Sequence, residues 1–189
     1  MPTRILEVLA VPEAVARWIR IVSYWVFTGL VAFEMVAGSL WDVLRIEYVR
    51  VVLTHLGYPL YLLFIIGSWK LPCALVLLAP RFLRLKEWAY AGAFFNYSGA
   101  AASHVLAGDG PDRWVGPIVF AAITLASWAL RPPARRIQQT GAPIEVRTFE
   151  WVATALAAVI MVVVSLASLP KGPPPGDWPP PVTDRGARG

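Results

Sequence analysis

Five stretches of the chain are almost free of charge and long enough, at 1.5 Å of helical rise per residue, to cross a ~30 Å hydrocarbon core. They run Ile21–Trp41, Tyr58–Ala79, Trp88–Ala107, Trp114–Leu130 and Trp151–Leu169. The alternating ten-residue pattern of a membrane barrel is absent, and backbone groups in lipid must bond within their own segment, so all five are predicted to be helices. The predicted fold class is all-α, a membrane helical bundle. Trp41, Trp88, Trp114 and Trp151 sit at segment ends, where an indole suits the headgroup boundary, whereas Trp69 and Trp128 fit helix packing better.

The segments between are equally patterned. Asp42–Gly57 alternates apolar residues with Asp42, Arg45, Glu47 and Arg50, which suggests a continuation of the first helix bent onto the interface. Ala37-Gly38-Ser39 resembles a cleavage site, but the first 20 residues are long for the basic region of a leader and the apolar run is longer than usual and contains Glu34, favouring an uncleaved helix. Beyond residue 170 the Pro-rich runs Gly172-Pro173-Pro174-Pro175-Gly176 and Pro179-Pro180-Pro181 predict an extended or disordered spacer.

Composition narrows the class. Of 189 residues, 57% are hydrophobic and 15% charged, whereas a soluble domain needs about 25% charged residues to coat its surface. The expected environment is therefore a lipid bilayer. One cysteine, Cys73, allows neither an intramolecular disulfide nor a Cys-x-x-Cys pair, and with two histidines it predicts no metal site. The formal charge of +5 sits in short clusters between apolar runs, which argues against nucleic acid and for a cytoplasmic membrane face. Arg4, Arg17, Arg20, Arg81, Arg84, Lys86, Arg131, Arg135, Arg136 and Arg147 fall on the side of the N-terminus. Arg45, Arg50, Arg113, Lys171, Arg185 and Arg188 fall opposite. The expected topology places the N-terminus in the cytoplasm and the C-terminus outside.

An ionisable residue near the bilayer centre costs about 2.5–3.5 kcal/mol on insertion scales and must be paired, inward-facing or functional. Glu34, Lys70, Asn96 and His104 are the candidates. Counting helical rise puts Glu34 ~21 Å, Lys70 ~15 Å and Asn96 ~12 Å above the inner edge, with His104 near the outer boundary. A Glu34–Lys70 pair with Asn96 beside it and His104 above is the predicted polar site. Small Gly67, Cys73 and Ala74 flank Lys70, and Pro72 frees a carbonyl next to it. Gly92, Asn96, Gly99 and Ser103 share one face of the third helix, which predicts a helix-packing seam.

Several of these runs resemble the DoxX-like family of small bacterial membrane proteins. They are Leu56-Gly57-Tyr58-Pro59-Leu60-Tyr61, Gly67-Ser68-Trp69-Lys70, Arg84-Leu85-Lys86-Glu87-Trp88-Ala89-Tyr90-Ala91-Gly92, Ser103-His104 with Gly108-Asp109, and Arg131-Pro132-Pro133-Ala134-Arg135-Arg136. The resemblance implies a four-helix membrane core over residues 21–136, preceded by a cytoplasmic segment 1–20. Residues 137–170, a loop and fifth transmembrane helix, and the tail 171–189 depart from that pattern. It implies residence in a bacterial inner membrane and a link to quinone-coupled oxidation or oxidant-defence assemblies. No covalently bound cofactor is expected; a quinone head would take its donors from Lys70, Trp69, Asn96 and His104, and electrons would come from a soluble or membrane redox partner. A binder or isomerase-like protein for another lipophile, and a non-catalytic scaffold, are the alternative classes.

Overall fold

The computed structural model describes residues 13–137 and 147–178, and those residues form helices joined by short turns. The helices are α1 (Glu13–Leu44), α2 (Glu47–His55), α3 (Tyr61–Leu78), α4 (Leu83–Leu106), α5 (Pro111–Leu130) and α6 (Thr148–Ala167). A 3-10 turn, Pro133–Arg135, follows α5. Among the described residues, α1, α3, α5 and α6 are long and apolar enough to cross a membrane. Helix α4 is more polar, carrying Arg84, Lys86, Glu87, Asn96 and His104, but it packs against α3 and α5 as a wall of the bundle.

Helices α1, α3, α4 and α5 close a ring in which α1 touches α3 and α5, and α4 touches the same two. Helix α6 lies outside that ring against α1 and α3. It buries only Ser165 and exposes Val152, Leu156, Val159, Ile160 and Val163, as a lipid-facing helix would. The core is filled by Val31, Ala32, Met35, Val36, Ala74, Leu77, Ala93 and Tyr97.

Helices α1, α4, α5 and α6 begin earlier than the hydrophobic runs, and α3 begins three residues later, at Tyr61. At 32 residues, α1 is ~48 Å long and overshoots the hydrocarbon at one or both ends. It does not continue into the next segment. Arg45 takes a left-handed conformation (φ 51°), and the Ile46 N–H donates back to the Trp41 carbonyl at 3.2 Å, a reversal that ends α1 and starts α2 afresh. The tail also differs from expectation: residues 171–178 lie on the protein, with Pro174 buried, while 179–189 fall outside the described residues.

At the end where α1 begins, called here the near end, α3 and α5 both terminate. Their last carbonyls have no partners within their own helices, and each helix presents a negative dipole end there. Basic side chains from elsewhere supply the donors. Lys86, fully buried, donates from Nζ to the carbonyls of Val76, Leu77 and Ala79. Arg135 reaches the carbonyls of Leu77, Leu78 and Ala79 at 3.3–3.4 Å. For α5, Arg20 donates to Leu130 and Arg131 carbonyls, and Arg136 to those of Ala129 and Arg131. Arg131 closes the set with a 2.6 Å bond to Glu87, which also accepts from Trp128 Nε1 at 2.8 Å.

Above these caps lies a layer of buried hydroxyls. Thr28 and Ser127 are 2.7 Å apart, and Tyr90 joins Ser127 at 2.9 Å. Replacing Lys86 with Met should keep the side-chain volume and strand the α3 carbonyls. A loss of about 2 kcal/mol in stability is expected, read from denaturant unfolding in micelles; an unchanged midpoint would show that Arg135 alone caps α3.

Candidate functional site

The polar site is built on a close approach between α1 and α3. Gly67 of α3 lies against α1 so tightly that a Cβ there would fall 2.9 Å from Asp42 Cβ and 3.1 Å from the Ser39 carbonyl oxygen. Ser39 fixes the crossing by donating from Oγ to the Gly67 carbonyl at 2.7 Å. On the α1 side, a Cβ on Gly38 would meet Lys70 Nζ at 2.7 Å and Glu34 Oε1 at 3.3 Å. The lysine is thus seated over a glycine.

Glu34, Gly38 and Asp42 follow one another at four-residue steps, so they line one face of α1. Lys70 crosses that face at Gly38, with one acid a turn below and the other a turn above. Its ammonium donates to Asp42 Oδ2 at 3.0 Å, both side chains being largely buried. Glu34 remains an electrostatic neighbour of Lys70, but its carboxylate accepts from the Tyr97 hydroxyl of α4. The direct Glu34–Lys70 pair expected from the sequence is therefore not formed. Counting rise from the edges of the apolar runs sets Lys70 below Glu34, whereas the contact of Gly67 with Ser39 and Asp42 sets it a turn above.

The other candidates separate. Trp69 is 73% exposed and faces away from the bundle, serving neither packing nor the site. Asn96 is half-buried, and no hydrogen bond joins it to the cluster. The face with Gly92 and Gly99 is exposed, and a Cβ on either would meet nothing within 4 Å, so it is not a seam inside this chain. Ser103 on that face pairs instead with Tyr58 at 2.9 Å. The packing seam is where Gly67 meets Ser39 and Asp42, with Lys70 seated over Gly38. Asp42 was assigned to the connection after α1; its signal in the sequence is the eight-residue spacing from Glu34.

Beside the cluster, between α1, α5 and the end of α6, opens a cavity of about 350 Å3 lined by Phe33, Glu34, Ala37, Gly38, Trp41, Phe120 and Ser168. Its wall is mostly apolar, and Tyr97 stacks on Phe120 with ring centres 5.3 Å apart. Trp41 lines it too, and its Nε1 is buried without a hydrogen-bond partner. Trp41 is thus a wall of the cavity rather than an interfacial anchor.

His104 belongs to a separate cluster at the far end. Its Nδ1 is 2.7 Å from Asp109 Oδ2, and His55 Nε2 from α2 lies 2.8 Å from Oδ1 of the same carboxylate. Arg113 of α5 donates to Oδ1 at 3.0 Å. Burial raises the Asp109 carboxyl, but the hydrogen bonds from His104, His55 and Arg113 outweigh it and hold the group below its ordinary 3.8. Among the described residues no group of His, Cys, Asp and Glu is arranged to hold a metal ion.

The sequence profile of the DoxX-like family matches residues 26–127, the stretch from the middle of α1 to the last turn of α5. The chain belongs to the DoxX-like family. The match takes in both polar clusters and the helices of the ring, α1 from Val26 onward, and stops short of α6 and the segment that follows it. No curated protein and no solved structure matches the chain. Family membership and the apolar helices together make it a multi-pass membrane protein.

Two outcomes follow from the geometry. In double-mutant cycles with Lys70→Met, the Asp42→Asn change should show a coupling of about 1–3 kcal/mol and Glu34→Gln clearly less; equal couplings would mean that Lys70 is shared evenly. Asp109, lowered in the folded state, adds stability that is complete above 3.8 and lost as pH falls through its lowered value. Asp109→Asn should therefore unfold more easily than the parent at neutral pH, with the gap closing in acid below that point. A gap independent of pH would show that the carboxylate charge contributes nothing.

Proposed function

We propose that this DoxX-like protein is a redox-associated accessory subunit of a bacterial inner membrane, holding the head of a quinone in the cavity between α1 and α5. The cavity supports the reading. At about 350 Å3 it falls within the ~300–1,000 Å3 of small-molecule sites, which are mostly apolar with a few placed polar groups. Phe33, Ala37, Gly38 and Phe120 offer flat or small apolar surface to a ring. Trp41 Nε1 offers an unused donor, and Glu34 a carboxylate that accepts from the Tyr97 hydroxyl.

Reduction of a quinone to a quinol takes up two electrons and two protons. The electrons come from a partner redox protein. Glu34, Tyr97 and the Lys70–Asp42 pair are what this chain contributes: they orient the head and pass both protons in turn, taken up from water, at Glu34 Oε. The apolar layer of Val31, Met35 and Ala93 separates this group from the Tyr90–Ser127–Thr28 hydroxyls nearer the other end. Proton exchange accordingly runs toward the far end, the side that the positive-inside expectation puts outside the cell.

Protein extracted gently and held in lipid nanodiscs should carry a quinone by native mass spectrometry. It should also bind a short-chain quinone with quenching of tryptophan fluorescence. Trp41→Phe, which deletes one donor and keeps the ring position filled, is expected to weaken binding about tenfold, the value of one hydrogen bond of ~1.4 kcal/mol. No quinone binding by the parent overturns the proposal. A different lipophile in the spectrum assigns the cavity to a carrier or isomerase-like role, and an empty protein with a stoichiometric partner assigns the chain to a scaffold.

A further inference from the structure

We propose that Ser168–Trp178 is a latched strap over the far end of the bundle, and that its release opens the α1–α5 cavity. The inference rests on the reading of that cavity as a ligand site and adds a gate to it. The mechanics lie in the sequence. Pro173, Pro174 and Pro175 form a stiff rod, since each ring fixes φ. Gly172 and Gly176 bracket it, each at φ +92°, a backbone state that residues with a Cβ rarely adopt. A rod between two hinges results, and Pro174 at its centre is buried.

Beyond the second hinge the strap is clamped. Arg113 Nη2 donates to the Asp177 carbonyl at 2.5 Å, and the Arg113 guanidinium lies 4.2 Å from the centre of the Trp178 ring. His55 meets the same indole edge-on at 5.2 Å, and His104 is tilted against it at 6.5 Å. One tryptophan thereby rests on α2, the end of α4 and the start of α5, which Asp109 already ties together. At its other end the strap leaves α6 through Ser168, a wall of the cavity beside Trp41 and Phe120.

The clamp is built to release. Trp178 Nε1 is buried with no partner, so lifting the ring into water gives that donor a hydrogen bond it lacks when closed. Asp109 keeps His55, His104 and Arg113 whether or not the indole is present, so opening leaves no carboxylate stranded. Strap and α6 both lie beyond residue 127, where the family match ends, whereas His55, His104 and Arg113, which hold the strap, lie within it.

The test needs no ligand, which separates its failure from failure of the quinone proposal. The lone cysteine is removed as Cys73→Ala, and the buried cavity residue Ala37 (7% exposed) is changed to Cys. Its labelling by a hydrophilic maleimide is then timed in purified full-length protein in nanodiscs. Trp178→Ala and Arg113→Gln should each speed labelling at least about tenfold, as a shifted local opening equilibrium would. Trp178→Phe, which keeps a ring for the guanidinium, should label at nearly the parent rate. Unchanged labelling in both Trp178→Ala and Arg113→Gln overturns the strap. Equally fast labelling in Trp178→Phe overturns it too, because general loosening and not loss of the clamp would be responsible.

Discussion

Everything polar in the middle of this bundle depends on α1 and α3 lying too close for a Cβ between them. Gly67 makes the contact possible and Ser39 pins it, so that the Lys70 ammonium lands over Gly38 with an acid on either side. A charge buried in an apolar bundle is tolerable only with its counter-charge at hand, because the loss of hydration is otherwise uncompensated. Glycine at two positions therefore fixes the register of two helices, and the register fixes the electrostatics. The same arrangement leaves Glu34 free to take its hydrogen bond from Tyr97 on α4, linking three helices of the ring through one lysine and two acids.

Much of this was legible in the sequence, for identifiable reasons. The helices followed from apolar run length, since lipid admits little else, and Lys70 and Glu34 stood out because charge is rare in such runs. What was not legible is which acid the lysine takes. Register between helices depends on where small residues allow contact, and nothing in the chain says whether Gly38 and Gly67 or Gly92 and Gly99 meet a neighbour. The Gly92–Gly99 face turned outward and the Gly38–Gly67 face inward. His55 escaped notice because its partner Asp109 is 54 residues away, and neither lies in a long apolar helix.

The fold keeps its two ends chemically distinct. At the near end the donors are basic side chains and the acceptors are main-chain carbonyls of α3 and α5. At the far end a single carboxylate collects two imidazoles and a guanidinium, and an indole from beyond α6 sits on top. The cavity opens between them, bounded by the first helix, the fifth and the start of the strap. The stretch matched by the family supplies the acids and the lysine, and the end of α6 supplies a wall.

The carbonyl caps at the near end bear on how such a chain could evolve. Small membrane proteins can drift toward inserting in either direction when a few arginines migrate from one flank to the other. Here Arg20, Lys86, Arg131, Arg135 and Arg136 are fastened to main-chain oxygens or to Glu87, so moving any of them would uncap a helix as well as shift the charge bias. A change that carried the positive charge to the other flank would therefore also have to find new donors for the ends of α3 and α5.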